Sequence, residues 1–85
     1  MSSKVIKNKE YIHDNDYYYS IISRNIRKYR KERNYTQQDL ADMTDLSREY
    51  IYDIENENRN KHFQIYVVGR IAEALNVDIG ILFEE

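Results

Sequence analysis

The chain has 85 residues, a formal net charge of −2, no cysteine, no proline and two glycines, Gly69 and Gly80. That length holds one domain with a small core, and the missing cysteines exclude a disulfide framework and a thiolate metal site. The shortage of turn formers favours helices over strands, so the core must come from helix packing alone.

No apolar run approaches the ~20 residues of a membrane span. No apolar stretch follows the N-terminal lysines as it does in a signal peptide, so an all-α, cytoplasmic protein without a membrane partner is expected. The charge is uneven. Residues 22–35 carry six basic side chains against Glu32, and residues 36–58 carry Arg48 against seven carboxylates. Arg59 and Lys61 then bring positive charge into a polar loop. Catalysis is not expected, because His13 and His62 stand far apart with no cysteine nucleophile and no glycine-rich phosphate loop. The same scatter leaves no metal site and no cofactor to expect.

Residues 1–16 are polar and aperiodic and read as a tail, flexible or loosely packed, ahead of a domain over 17–85. Tyr17, Tyr18 and Tyr19 read as extra packing at the start of the first helix. Ile22, Ile26 and Tyr29 fall at i, i+4 and i+7 and form its apolar stripe, which Arg30 borders. Asn34 follows a basic last turn and suits the left-handed backbone that ends a helix.

After Asn34 one pattern occurs three times: an apolar residue, a capping residue, three intervening residues and a second apolar residue. Tyr35-Thr36 is answered by Leu40, Leu46-Ser47 by Ile51, and Val77-Asp78 by Leu82. Each capping oxygen can accept from a first-turn amide while the apolar pair closes as a hydrophobic staple. The spacing predicts a second helix over 37–43, with Leu40 and Ala41 inward, and a third over 48–55. Thr44, Asp45 and Leu46 alone separate the second helix from the Ser47 cap of the third, which makes a helix-turn-helix. A polar loop over 56–62 leads to a fourth helix over 64–75, carrying Val67, Val68, Ile71, Ala74 and Leu75. Asn76 ends it, and Asp78 caps a last short helix with Ile79, Leu82 and Phe83.

Thr36-Gln37-Gln38-Asp39-Leu40-Ala41, Leu46-Ser47-Arg48 and Ile51-Tyr52-Asp53-Ile54-Glu55 resemble the Cro and phage-repressor helix-turn-helix family, the XRE family of transcriptional regulators. Ile71-Ala72-Glu73-Ala74-Leu75-Asn76-Val77 with Leu82-Phe83, and Ile26-Arg27-Lys28-Tyr29-Arg30 upstream, extend the resemblance over residues 22–83. It implies a five-helix lambda-repressor-like domain that binds double-stranded DNA, with no enzymatic activity. It implies Arg48, Glu49, Tyr52 and Asp53 as base-facing positions, Gln37 and Asn56 at phosphates, and Arg30 with Glu55 as a structural ion pair. Members of the family often act as homodimers on two-fold operators. Asp45 stands where the turn usually has glycine, the loop after Glu55 is longer than in the shortest repressors, and the reading face carries Glu49 and Asp53.

A helical wheel supports the same face independently. Arg48, Glu49, Tyr52, Asp53 and Asn56 share one arc of the third helix, opposite Ile51 and Ile54. Arg48 can fork onto guanine, and Glu49 or Asp53 can accept from the cytosine amino group. With two acids on the reading face, phosphate neutralisation falls to Arg27, Lys28, Arg59 and Lys61. The alternative that the acidic stretch supports is a protein–protein interaction module on the same fold.

Overall fold

The computed structural model describes residues 11–59 and 62–85. It is all-α: α1 (Asn15–Glu32), α2 (Gln37–Thr44), α3 (Arg48–Glu55) and α4 (Ile65–Leu75), with 3-10 helices at Glu57–Arg59 and Ile79–Phe83. No strand occurs among the described residues.

The Asp14 carboxylate accepts from the Tyr17 amide at 3.0 Å, so α1 begins at Asn15, inside the segment expected to be a tail. An aspartate N-cap requires no apolar periodicity after it, which is why this start is hidden in the sequence. Tyr17 then donates its hydroxyl to the Glu85 carboxylate at 2.7 Å and ties the start of α1 to the end of the chain. That hydrogen bond raises the Tyr17 phenol above its ordinary pKa.

Local chemistry fixes the two short helices. Thr36 Oγ1 accepts from the Asp39 amide at 2.9 Å, and Asp39 Oδ2 accepts from the Thr36 amide at 2.8 Å. Aspartate thus closes a reciprocal capping box at a position where Glu or Gln is usual. Ser47 Oγ accepts from the Tyr50 amide at 3.0 Å and starts α3. Tyr35 with Leu40, and Leu46 with Ile51, all join the core cluster. Asn34, Asp45 and Asn76 follow α1, α2 and α4 with left-handed backbone, at φ 61°, 59° and 57°. Asp45 therefore adopts the conformation that glycine usually supplies, which short polar side chains do at small cost.

The last element corrects the expected fifth α-helix: Ile79–Phe83 is 3-10, and Asp78 makes no side-chain cap bond. Five residues leave little room for i→i+4 bonding, and a side chain from α1 fixes the turn instead. Asn25 Nδ2 donates to the Leu82 carbonyl at 2.9 Å and to the Glu84 carbonyl at 2.7 Å. Leu82 itself is fully buried with Ile26, Leu40, Ile51, Ile54, Ile71 and Leu75. α4 braces α2 from behind, where Arg70 donates to the Thr44 carbonyl at 3.2 Å. A cation there suits the negative end of the α2 dipole. Among the described residues no helix is long and apolar enough to cross a membrane, and no group of His, Asp or Glu could hold a metal ion.

Candidate nucleic-acid interface

α3 divides sharply by face. Ile51 and Ile54 are fully buried, while Arg48 and Glu49 are exposed, Tyr52 is 47% exposed and Asp53 is half-buried. The apolar side locks the helix onto the core, so its polar side is held at a fixed angle, as base reading requires. Tyr50 lies between the faces. Burial pushes its phenol pKa up.

The base of the helix is held by a buried joint. Arg30 Nε donates to Glu55 Oε2 at 2.6 Å, and Arg30 Nη2 donates to Oε1 at 2.9 Å. The fork's remaining nitrogen donates to the Tyr35 carbonyl at 2.7 Å. The side chains are 9% and 2% exposed, and among the described residues no buried side-chain nitrogen or oxygen lacks a partner. One guanidinium thus fastens α1 to α3 and to the lead-in of α2. Gln37 completes the joint, with Nε2 donating to Glu55 Oε1 at 3.1 Å.

In front of this joint lies an open groove of about 350 Å³ between α1, the start of α2 and the end of α3. It gathers six of the residues singled out from the sequence: Arg27, Gln37, Tyr52 and Asn56, with the paired Arg30 and Glu55. Lys28 stands one position away, in a neighbouring depression lined also by Arg24, Asn25, Arg27, Lys31 and Glu85. Arg48 and Glu49 lie at the other end of α3, about 12 Å from Asn56 at 1.5 Å rise per residue. The arrangement is an exposed Arg48–Glu49 tip at one end of the helix and a basic, hydrogen-bonding groove at the other. The expected phosphate contacts at Lys61 and at the Arg59 side chain lie outside the described residues.

Lys31 was not singled out from the sequence, yet it lines both depressions. Its spacing of i+4 from Arg27 is the signal that places both on one helix face. Glu57 was also missed. Its carboxylate sits 3.2 Å from Arg24 Nη1 and 3.6 Å from Arg27 Nη2. No helical spacing relates Glu57 to α1, so the loop's path alone reveals this contact.

A helix-turn-helix family model matches residues 26–82. The control protein C.SmaI of Serratia marcescens is 34% identical over 59 residues, which are 69% of this chain and 68% of that protein. The structure of C.Esp1396I bound to a 25 base pair operator site matches with a TM-score of 0.68 and 34% identity, over 76% of this chain and 83% of that one. The biofilm master regulator SinR in complex with DNA matches with a TM-score of 0.67 and 27% identity, over 74% of this chain and 98% of that one.

Proposed function

The chain belongs to the helix-turn-helix family, and from that premise we propose that it regulates transcription by sequence-specific binding of double-stranded DNA. The observation that carries this reading is the likeness to C.Esp1396I on its operator, together with a rigidly presented polar face on α3. In this reading α3 lies in the major groove. Arg48 forks onto guanine O6 and N7, Glu49 and Asp53 accept from cytosine amino groups, and Tyr52 meets a thymine methyl or a backbone phosphate. The amide end of α2 with Gln37, and Asn56 across the groove, hold one phosphate. Arg27 and Lys28, with Arg59 and Lys61 from the loop, supply the charge. Counted with its 3-10 segment at Ile79–Phe83 as the fifth helix, the fold is the lambda-repressor-like one.

A two-fold operator and a homodimer complete the reading, acting in the cytoplasm. An apolar face supports the dimer. Ile65, Phe83 and Tyr18 are 63%, 45% and 54% exposed, large values for side chains of their size. With Ile22 and Phe63 they line one depression of about 260 Å³, away from α3. Apolar exposure of this kind on so small a domain marks a contact surface.

Selection from random duplexes tests the function directly and yields the operator. Enrichment of a palindromic site, bound at nanomolar concentration, is the expected result. A protein that shows no saturable duplex binding at low salt, with its fold intact, is instead an interaction module whose acidic α3 face meets another protein.

A further inference from the structure

Glu57 opens the 3-10 helix that follows Asn56 and reaches back to α1. It contacts Arg24 and Arg27 at 3.2 and 3.6 Å, and the three side chains are 51%, 46% and 30% exposed in the order Arg24, Arg27, Glu57. Arg24, Arg27, Lys28 and Lys31 form one face of α1 at i, i+3, i+4 and i+7. Arg27 also lines the groove that contains Gln37 and Asn56. A phosphate entering that groove therefore meets an arginine already held by a carboxylate.

We propose that Glu57 is an intramolecular stand-in for a DNA phosphate, occupying Arg24 and Arg27 in the free protein and setting how strongly α1 engages the DNA backbone. The proposal rests on the DNA-binding reading above. Its physical basis is the contrast between two kinds of ion pair. The Arg30–Glu55 pair is buried and bidentate, and the arginine has a third bond to a carbonyl, so it does not exchange. The Glu57 pairs are longer, solvent-screened and each worth little, so a phosphate can displace the carboxylate. A cation neutralised by its own protein contributes less to counterion release when DNA arrives. Phosphate contacts carry no sequence information, so the effect falls on operator and random DNA alike. Glu57 thus limits residence on random DNA without touching the base-reading face.

Glu57→Gln removes the charge and keeps the side-chain volume. Binding is measured across a salt series on a random-sequence duplex and on the selected operator duplex, with melting temperature as the check on folding. The expected result is binding tighter by about three- to tenfold on both duplexes at low salt, with a log–log slope steeper by about one to two units. The gain must vanish when Arg24 and Arg27 are both changed to alanine. Where E57Q melts early, Glu57→Asp serves instead: it keeps the charge but draws it back, so its gain is smaller and of the same sign. Unchanged or weaker binding by a folded variant overturns the proposal, as does a gain that persists without the two arginines. If wild type binds no duplex, the DNA-binding reading falls and this proposal falls with it. If wild type binds and E57Q binds identically, only this proposal falls.

Discussion

Glu55 and Glu57 stand two residues apart, both face α1, and both pair with arginine, yet they do opposite work. Glu55 is on the inward edge of α3, where the core has already removed water, and its pair is nearly sealed. Glu57 lies beyond the helix end, where water competes for every contact. The difference teaches that charge of one sign, on one short stretch, divides into architecture and recognition according to burial. A buried pair resists breaking because removing one partner strands the other, whereas an exposed pair trades partners cheaply.

The most severe way to break this contrast is to remove each carboxylate in turn. Glu55→Ala leaves the Arg30 guanidinium buried with only the Tyr35 carbonyl, a loss of about 3–5 kcal/mol. Glu57→Ala leaves two solvated arginines and costs less than about 1 kcal/mol. At roughly 4–8 °C per kcal/mol for a domain this small, the first variant melts at least about 12 °C below wild type and the second less than about 8 °C below it. Thermal unfolding followed by circular dichroism decides the matter; equal melting temperatures would show that burial does not separate the two sites.

Arg48 extends the contrast to a charge that makes no hydrogen bond or ion pair among the described residues. It begins α3 on the exposed side, and its helix is started by Ser47 rather than by its own side chain. Arg48→Ala is expected to lose about 1–3 kcal/mol of binding to the selected operator, to lose less on random DNA, and to melt like wild type. An equal loss on both duplexes would reassign Arg48 from bases to phosphates.

Much of this was legible in the residues. Thr36 and Ser47 announced α2 and α3 because their caps act within three residues. Asn34 and Asn76 marked helix ends because few other residues accept left-handed backbone. Asp78 matched the same local pattern but makes no cap bond, because bonds from Asn25 fix that segment across the molecule. Asp14 was hidden by its polar neighbours. In the groove, Tyr52 and Asn56 were identifiable from helical position, Arg27 from the uneven charge and Gln37 from the family resemblance, while the reach of Glu57 to α1 depends on a loop whose course no periodicity encodes. Local capping and periodic burial are written in short windows of sequence. Contacts carried by a loop across the fold are not.

Gln37 sharpens the comparison because it belongs to both sides. Its amide nitrogen donates to Glu55, and its helix end faces the groove. Glu55 keeps both arginine bonds without it, so Gln37→Ala costs about 0.5–1.5 kcal/mol of stability. Binding weakens on operator and random DNA together, but the salt slope stays at its wild-type value because no charge has been removed. A slope that changes would mean that the substitution has shifted Arg27 or Arg30 rather than removed a neutral contact.

The smallest expected effect is the most telling about Glu57. Arg27 and Lys31 are one helical turn apart and line the same groove, yet Arg27 is paired with Glu57, while Lys31 makes no ion pair among the described residues. When a phosphate arrives, Arg27 must release a carboxylate, so part of what it gains is offset. Lys31 releases only bound counterions. Lys31→Ala is therefore expected to reduce the salt slope by about one unit, and to weaken specific and random binding equally. Arg27→Ala should reduce the slope by less, because it removes a cation that was already partly neutralised. In the Glu57→Gln background the two alanine variants should become alike, since both cations then begin free. Salt titrations of the four alanine variants beside wild type and Glu57→Gln supply the comparison, and an Arg27→Ala slope change equal to that of Lys31→Ala in the wild-type background would mean that Glu57 neutralises nothing that DNA needs.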